Sequence, residues 1–154
     1  MSIAASLVKE LREKTNAGMM DCKKALEETQ GNFDAAIEWL RKKGLASAAK
    51  KAGRIAAEGA VFAQVVGKTG VVVEINSETD FVARNDGFRS FVKDVADHVV
   101  HSKSTAELMS QPYHKNSSQK MEDLLKDVIS KLGENIVIRR AEKYELSSDG
   151  LVHT

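Results

Sequence analysis

The sequence predicts an α+β fold, in which a small helical bundle precedes an antiparallel sheet covered by helices. Three observations predict it. Residues 1–44 repeat apolar side chains at helical spacing in three short runs. Two β-branched runs, "AVFAQVV" (60–66) and "VVVEI" (71–75), flank the glycine-bounded turn "GKTG" (67–70) and read as a hairpin. Two longer amphipathic segments, 85–102 and 117–133, then lead to a last strand-like stretch at 134–146.

Each element has its own warrant. In the first helix Leu7 and Leu11 lie four apart beside Val8, and "TNAG" (15–18) ends it. The second carries Cys22, Ala25 and Leu26, with Gly31 beyond its C-terminal end. In the third, Asn32 stands as N-cap and Asp34 in the first turn, where the helix dipole favours an acid. Phe33, Ala36, Ile37 and Leu40 form its stripe, "RKK" (41–43) fills the last turn, and Gly44 is the expected stop. Residues 1–44 therefore read as a separate helical module, near the lower size limit for independent folding. "LASAAKKAGRIAA" (45–57) reads as a helical or partly ordered linker, and residues 58–154 as the second unit. Phe88, Phe91, Val92, Val95 and Val99 repeat at three and four along 85–102, which Asn85 or Asp86 caps. Met121, Leu124, Leu125, Val128 and Leu132 share a face of 117–133, and Gly133 ends it. The closing strand puts Ile136 and Ile138 on one face.

Composition narrows the function classes. With 42 % apolar and 29 % charged residues and one proline in 154 residues, the chain reads as folded rather than disordered. A formal net charge of +1 argues against a dedicated DNA or RNA binder. The six basic residues from Arg41 to Arg54, uninterrupted by an acid, read as a solvated linker rather than an RNA contact. Cys22 is the single cysteine, so no intramolecular disulfide forms and a reducing compartment fits. No apolar run approaches the roughly 18–20 residues of a membrane helix, and "MSIAASLVKELREK" lacks the apolar core of a secretory signal. The expected location is the cytoplasm.

Catalytic and metal chemistry are not evident. "GKT" (67–69) superficially matches a phosphate-binding loop, but Phe62 stands where that motif needs glycine and the loop joins two strands. His98 and His101 have a ligating spacing without an evident third ligand, so they read as surface histidines beside the apolar stripe. Cys22 reads as a packed thiol. No nucleophile–base set or paired carboxylates stand out. An enzyme of covalent chemistry is not expected, nor a bound cofactor or metal.

One aromatic residue sits oddly. In "EINSETDFVARND" (74–86), Phe81 follows Asp80 at the apex between strand and helix, where burial is hard to arrange. Phe81 lies seven before Phe88, which would extend the buried stripe, yet Arg84 and Asn85 occupy the intervening positions. An exposed ring and a buried one both remain open on pattern alone.

"LREKTNAGMMDCKKAL" (11–26), "EINSETDFVAR" (74–84) and "GENIVIRR" (133–140) are more specific than their structural roles demand, and together they resemble the signatures of the elongation factor Ts family. The resemblance covers nearly the whole chain apart from 101–120. It implies an N-terminal three-helix module of the ubiquitin-associated type, a short linker, and a core subdomain with a three-stranded antiparallel sheet and helices. It also implies nucleotide exchange on elongation factor Tu. The N-terminal module would dock on that partner's GTPase domain around Leu11, Arg12, Met19 and Met20. Thr79, Asp80, Phe81 and Val82 would form the wedge that enters the partner and disturbs its Mg²⁺ and phosphate site.

The chain departs from that family in two places. Asn16 replaces a usual glycine, a small change because asparagine tolerates left-handed backbone. After "GLVHT" the family continues with an aromatic–x–His–Gly segment, which the chain lacks; His153 does not inherit its role. A second core subdomain is also missing, so the chain reads as a short form pairing with another copy through its core, or as a truncated form. Two other classes stand beside this reading: an adaptor whose helical module binds another protein, such as a ubiquitin-like fold, and an RNA binder using 41–54.

Overall fold

A computed structural model describes residues 3–15, 17–148 and 150. Asn16 and the "LVHT" end with His153 lie outside the described residues. Three helices come first: α1 (Ala5–Thr15), α2 (Met19–Glu28) and α3 (Phe33–Lys51). Their apolar stripes close on one another, and Val8, Leu11, Cys22, Ala25, Leu26 and Ala36 are buried together. Cys22 is a packed thiol, fully buried. Asn32 caps α3 by accepting the Ala35 N–H at 3.0 Å.

Helix α3 corrects the expected stop at Gly44. It runs on through "LASAAKK" to Lys51, so most of the expected linker is helical and the extended connection begins after it. The reason is packing. Gly44 is buried inside α3, and a Cβ there would stand 3.3 Å from the Ser130 hydroxyl and 3.5 Å from its Cβ. The missing side chain lets a second helix approach closely, which here outweighs glycine's tendency to end helices.

The strands β1 (Glu58–Val66) and β2 (Thr69–Ser77) form the expected hairpin. Its turn is the pair Gly67–Lys68, with Gly67 at a φ of +60° suited to a two-residue hairpin loop. A one-turn helix α4 (Asp80–Ala83) follows, then α5 (Asp86–His101), which Asn85 caps by accepting the Gly87 N–H at 2.7 Å. A 3-10 turn at Leu108–Ser110 leads into a ribbon of β3 (Pro112–Tyr113) and β4 (Asn116–Lys120). Helix α6 (Met121–Leu132) and strand β5 (Ile136–Glu145) complete the described fold.

The sheet order is β1-β2-β5, antiparallel throughout, with β2 in the centre. Val71, Val73, Ile75 and Ile136 point to the inner face and meet Phe88, Phe91, Val95, Val99 and Met121 from the helices. Among the described residues nothing covers the opposite face: Val61, Val72 and Tyr144 are exposed there, beside Glu74, Arg140 and Glu142. Ala48, from the far end of α3, belongs to the sheet's core. One helix therefore joins two apolar clusters.

Two expectations about 98–120 need correction. Residues 117–120 are strand, not the first turn of a helix, and α6 begins only at Met121. His98 is buried at 3 % exposure rather than a surface group, while His101 is exposed. His98 lies on the α5 face that the 111–114 segment covers, and burial there demands hydrogen bonds for both ring nitrogens. It has them. Gln111 donates both amide hydrogens to the carbonyl oxygens of Ser104 and Ala106, so its oxygen must accept from His98 Nε2–H at 2.9 Å. Nδ1 is then bare and accepts the His114 backbone N–H at 3.2 Å. Burial holds His98 below its ordinary pKa, the Gln111 bond opposes this, and neighbouring His101 adds to the lowering.

Candidate partner-binding site

The segment at 77–84 is built by short-range capping. Strand β2 ends at Ser77, whose hydroxyl donates to the Thr79 carbonyl at 3.0 Å. Thr79 then caps α4, its side-chain oxygen accepting the Val82 N–H at 3.4 Å. Only one turn follows, and Val82 and Ala83 pack against the sheet-and-helix core. With those two turned inward, the preceding side chain is turned out, because successive residues on a helix are about 100° apart. Phe81 is 83 % exposed. Asp80 is half-exposed and pairs with Arg84 at 3.1 Å.

Of the four residues expected in the wedge, the structure therefore gives them different situations. Phe81 projects, Asp80 stands beside it, Thr79 is a cap, and Val82 faces its own core.

The base of this turn is held from the start of β5. Glu134 accepts three hydrogen bonds: from Glu78 N at 3.1 Å, Thr79 N at 3.0 Å and the Thr79 hydroxyl at 2.6 Å. In return Glu78 accepts the Asn135 backbone N–H at 2.6 Å. The Asn135 amide donates to the Arg54 carbonyl at 2.7 Å, and Arg54 reaches Glu78 at 3.5 Å, so the end of the linker joins the same knot. Further along β5, a bulge opposite Glu74 and Ile75 lets Arg139 bond Asn76 at 2.8 Å and Arg140 bond Glu74 at 2.8 Å. The stretch "GENIVIRR" is thus tied to the Phe81 turn by side chains that hydrophobic periodicity cannot register.

At the N-terminal end, Leu11 is fully buried among the three helices and is not a surface residue, correcting its expected place in a docking patch. Position 11 falls on the stripe with Leu7 and Val8, where a bundle this small needs every large side chain. Arg12 is exposed, and Met19 and Met20 are exposed at 55 % and 73 %. These two methionines open α2 beside the Gly18 entry. The basic run 41–54 is largely spoken for: on α3 Arg41 bonds Glu38, Lys43 meets Asp21 and Lys51 meets Ser47, and beyond the helix Arg54 meets Glu78. Among the described residues, no group of three or more His, Cys, Asp or Glu is placed to hold a metal ion, and no helix is long and apolar enough to cross a membrane.

Comparison with known proteins bears on the same segments. The family model described as elongation factor TS matches residues 78–154, half of the chain, and its match begins at the Phe81 turn. A relative from Bdellovibrio bacteriovorus named elongation factor Ts is 61 % identical over 154 residues, covering 100 % of this chain and 50 % of its own. One of the same name from Methylorubrum extorquens is 53 % identical over 146 residues, 95 % of this chain and 48 % of its own. A third from Nostoc is 50 % identical over 159 residues, 99 % of this chain and 51 % of its own. The chain thus spans about half the length of the curated relatives it matches. With a family model matching half of the chain, relatives of the same name along its length, and the α+β fold of three helices and a three-stranded antiparallel sheet, the chain belongs to the elongation factor Ts family.

Proposed function

We propose that this chain is a guanine-nucleotide exchange factor acting on elongation factor Tu in translation elongation, with Phe81 as its wedge. One observation carries the reading: a large aromatic ring, 83 % exposed, on a turn whose backbone is pinned on the other side. An exposed phenylalanine gains nothing for its own fold, since its apolar surface stays in water. Against a partner it offers a rigid apolar body, and aromatic residues are favoured anchors at interfaces.

The mechanism follows from how a GTPase holds GDP. Its nucleotide is gripped by a phosphate-cradling loop and by a Mg²⁺ ion that bridges phosphate and protein. A ring seated between packed helices near that site shifts them by a discrete step, because dense interiors do not deform smoothly. The Asp80 carboxylate, brought in beside the ring, acts by charge on the metal and phosphate geometry. Arg12, Met19 and Met20 supply a separate docking surface on the GTPase domain, with methionine suited to an adaptable apolar contact. Exchange is then a coupling of two binding equilibria. Whatever factor the wedge takes from GDP affinity, GDP takes from wedge affinity, and incoming GTP displaces the factor. No covalent bond changes, so the activity is not enzymatic chemistry. As part of the same proposal, a second copy covers the bare outer face of the sheet at Val61, Val72 and Tyr144.

Release of a fluorescent GDP analogue from elongation factor Tu tests the proposal. Phe81→Ala should slow release by at least tenfold, about 1.4 kcal/mol of lost stabilisation, while binding to the partner largely persists. Release at the unsubstituted rate would exclude Phe81 as the wedge.

A further inference from the structure

We infer that Glu134 is a positioning residue for exchange: its carboxylate clamps the backbone that carries Asp80 and Phe81, and so sets where the ring points. The inference rests on the wedge reading of Phe81 and adds a residue that reading did not contain. Three facts support it.

The first is the state of the backbone between strand and helix. The pairing of β2 with β5 ends at Ser77 opposite Ile136, so the amides of Glu78 and Thr79 lie beyond the ladder. They also precede the hydrogen-bonded turn of α4, in which Ala83 N bonds the Thr79 carbonyl. Neither element satisfies them. One carboxylate oxygen of Glu134 accepts both, at 3.1 and 3.0 Å, and its other oxygen takes the Thr79 hydroxyl at 2.6 Å. The hydroxyl bond, at 2.6 Å, has the short length of a charge-assisted bond, and the two amide bonds have ordinary length with a charged acceptor, which strengthens them.

The second is reciprocity. Glu78 returns a bond to Asn135 N at 2.6 Å, so the turn and the start of β5 hold each other at two adjacent points. Two points fix an orientation where one would leave a pivot.

The third is what the clamp does not touch. Glu134 makes its bonds at residues 78 and 79, whereas the ring it orients is at 81 and exposed. Core packing reaches α4 only through Val82 and Ala83. Without the clamp the one-turn helix keeps its apolar footing but loses the link that sets its tilt, and a wedge misplaced by about 1 Å loses much of its effect.

The test compares Glu134→Ala, Glu134→Gln, Glu134→Asp and Phe81→Ala, alone and with Phe81→Ala combined with Glu134→Ala. GDP release from elongation factor Tu and binding to it are measured for each. Glutamine keeps the reach and an acceptor oxygen for the two amides; aspartate keeps the charge but falls one methylene short. Expected are release slowed on the order of tenfold in Glu134→Ala, a matching loss in Glu134→Asp, partial rescue in Glu134→Gln, whose acceptor is uncharged, and binding retained in all. Adding Glu134→Ala to Phe81→Ala should cost nothing further, because a residue acting through the ring has no effect once the ring is gone. Amide hydrogen exchange at Glu78 and Thr79 should quicken in Glu134→Ala, and less in Glu134→Gln. If Glu134→Ala does not fold, the aspartate variant carries the comparison. Unsubstituted release rates in Glu134→Ala or Glu134→Asp, with Phe81→Ala slow, would overturn the clamp and leave the wedge standing. Additive losses in the double variant would overturn it too. A fast Phe81→Ala would instead remove the wedge, and the positioning role of Glu134 with it.

Discussion

Two phenylalanines seven residues apart have opposite fates, and the contrast shows how local placement decides a side chain's use. Phe88 sits in the first turns of α5 facing the sheet and is fully buried; Phe81 sits on α4 facing away and is exposed. Phe88→Ala should therefore cost about 3–5 kcal/mol of stability, the usual range for emptying a core aromatic site. Phe81→Ala should change stability by no more than about 0.5 kcal/mol. Urea unfolding of both variants checks this, and a large loss in Phe81→Ala would mean that the ring has an internal packing role. The same residue-level view separates Leu11 from Met20. Both belong to apolar positions of the N-terminal helices, yet one is interior and the other 73 % exposed. Met20→Glu should weaken binding to elongation factor Tu with little effect on folding, whereas Leu11→Ala should lower stability by about 2–5 kcal/mol. Periodicity located Phe88 and Leu11 correctly as stripe members, but exposure of Phe81 was not decidable from it. A one-turn helix has too few residues for a stripe to be read.

At the scale of elements, helix α3 and the 102–120 segment behaved unlike their sequence patterns. Gly44 carries the signature of a helix end, with three basic residues before it, and the close approach of Ser130 accounts for a glycine inside a helix that the alanine-rich run then continues. That approach joins residues 86 apart in sequence and leaves no trace in a local window. Gly44→Leu should push α3 and α6 apart and cost about 1–3 kcal/mol, read as a lower thermal midpoint; an unchanged midpoint would contradict the close contact. The β3–β4 ribbon was unreadable for a different reason. "NSSQK" has no apolar alternation, and its neighbours are held by Tyr113, His114 and the Gln111–His98 bond instead. This arrangement makes the ribbon sensitive to acid. His98 is neutral in the fold, with His101, Asp94 and Asp97 nearby on α5, Tyr113, His114 and Lys115 across from it, and Gln64 reaching Asp97 from β1. A proton on Nδ1 would set a donor against the His114 N–H. Because the folded pKa is depressed, the unfolded chain binds more protons below its ordinary histidine value of about 6.5. The stabilisation is full above that pH and is lost as pH falls through the folded value. Titration of the His98 ring by NMR should show a midpoint below the ordinary value, with exchange protection of the His114 amide falling alongside. A midpoint at or above the ordinary value would remove this link.

Across the whole molecule, the fold class was legible because its large-scale signals are long: two amphipathic helices, a glycine-turned hairpin and an alternating last strand all formed, although the second helix begins at Met121 rather than at 117. What joins them was less legible. Helix α3 contributes Ala36 to one apolar cluster and Ala48 to the other, so the N-terminal helices and the sheet share a member. The knot of Glu78, Glu134, Asn135 and Arg54 draws three distant stretches to the base of one exposed ring. Polar partnerships of this kind have no period. The outer sheet face, left uncovered by the described residues, is the other large-scale feature, with Val61 and Tyr144 exposed at 70 % and 62 %. Pairing of two copies through it predicts a sedimentation mass that rises with concentration and a return to monomer in Val61→Lys. A constant monomer mass would contradict that pairing. The claim on which the functional account turns is that the Phe81 ring leaves water and enters the partner. Fluorine labelling of that ring tests it most directly, by NMR with and without elongation factor Tu. The free chain should give a solvent-exposed signal that shifts and broadens on binding the nucleotide-free partner and returns as GDP is added. A fluorine signal unmoved by a partner that demonstrably binds would contradict it.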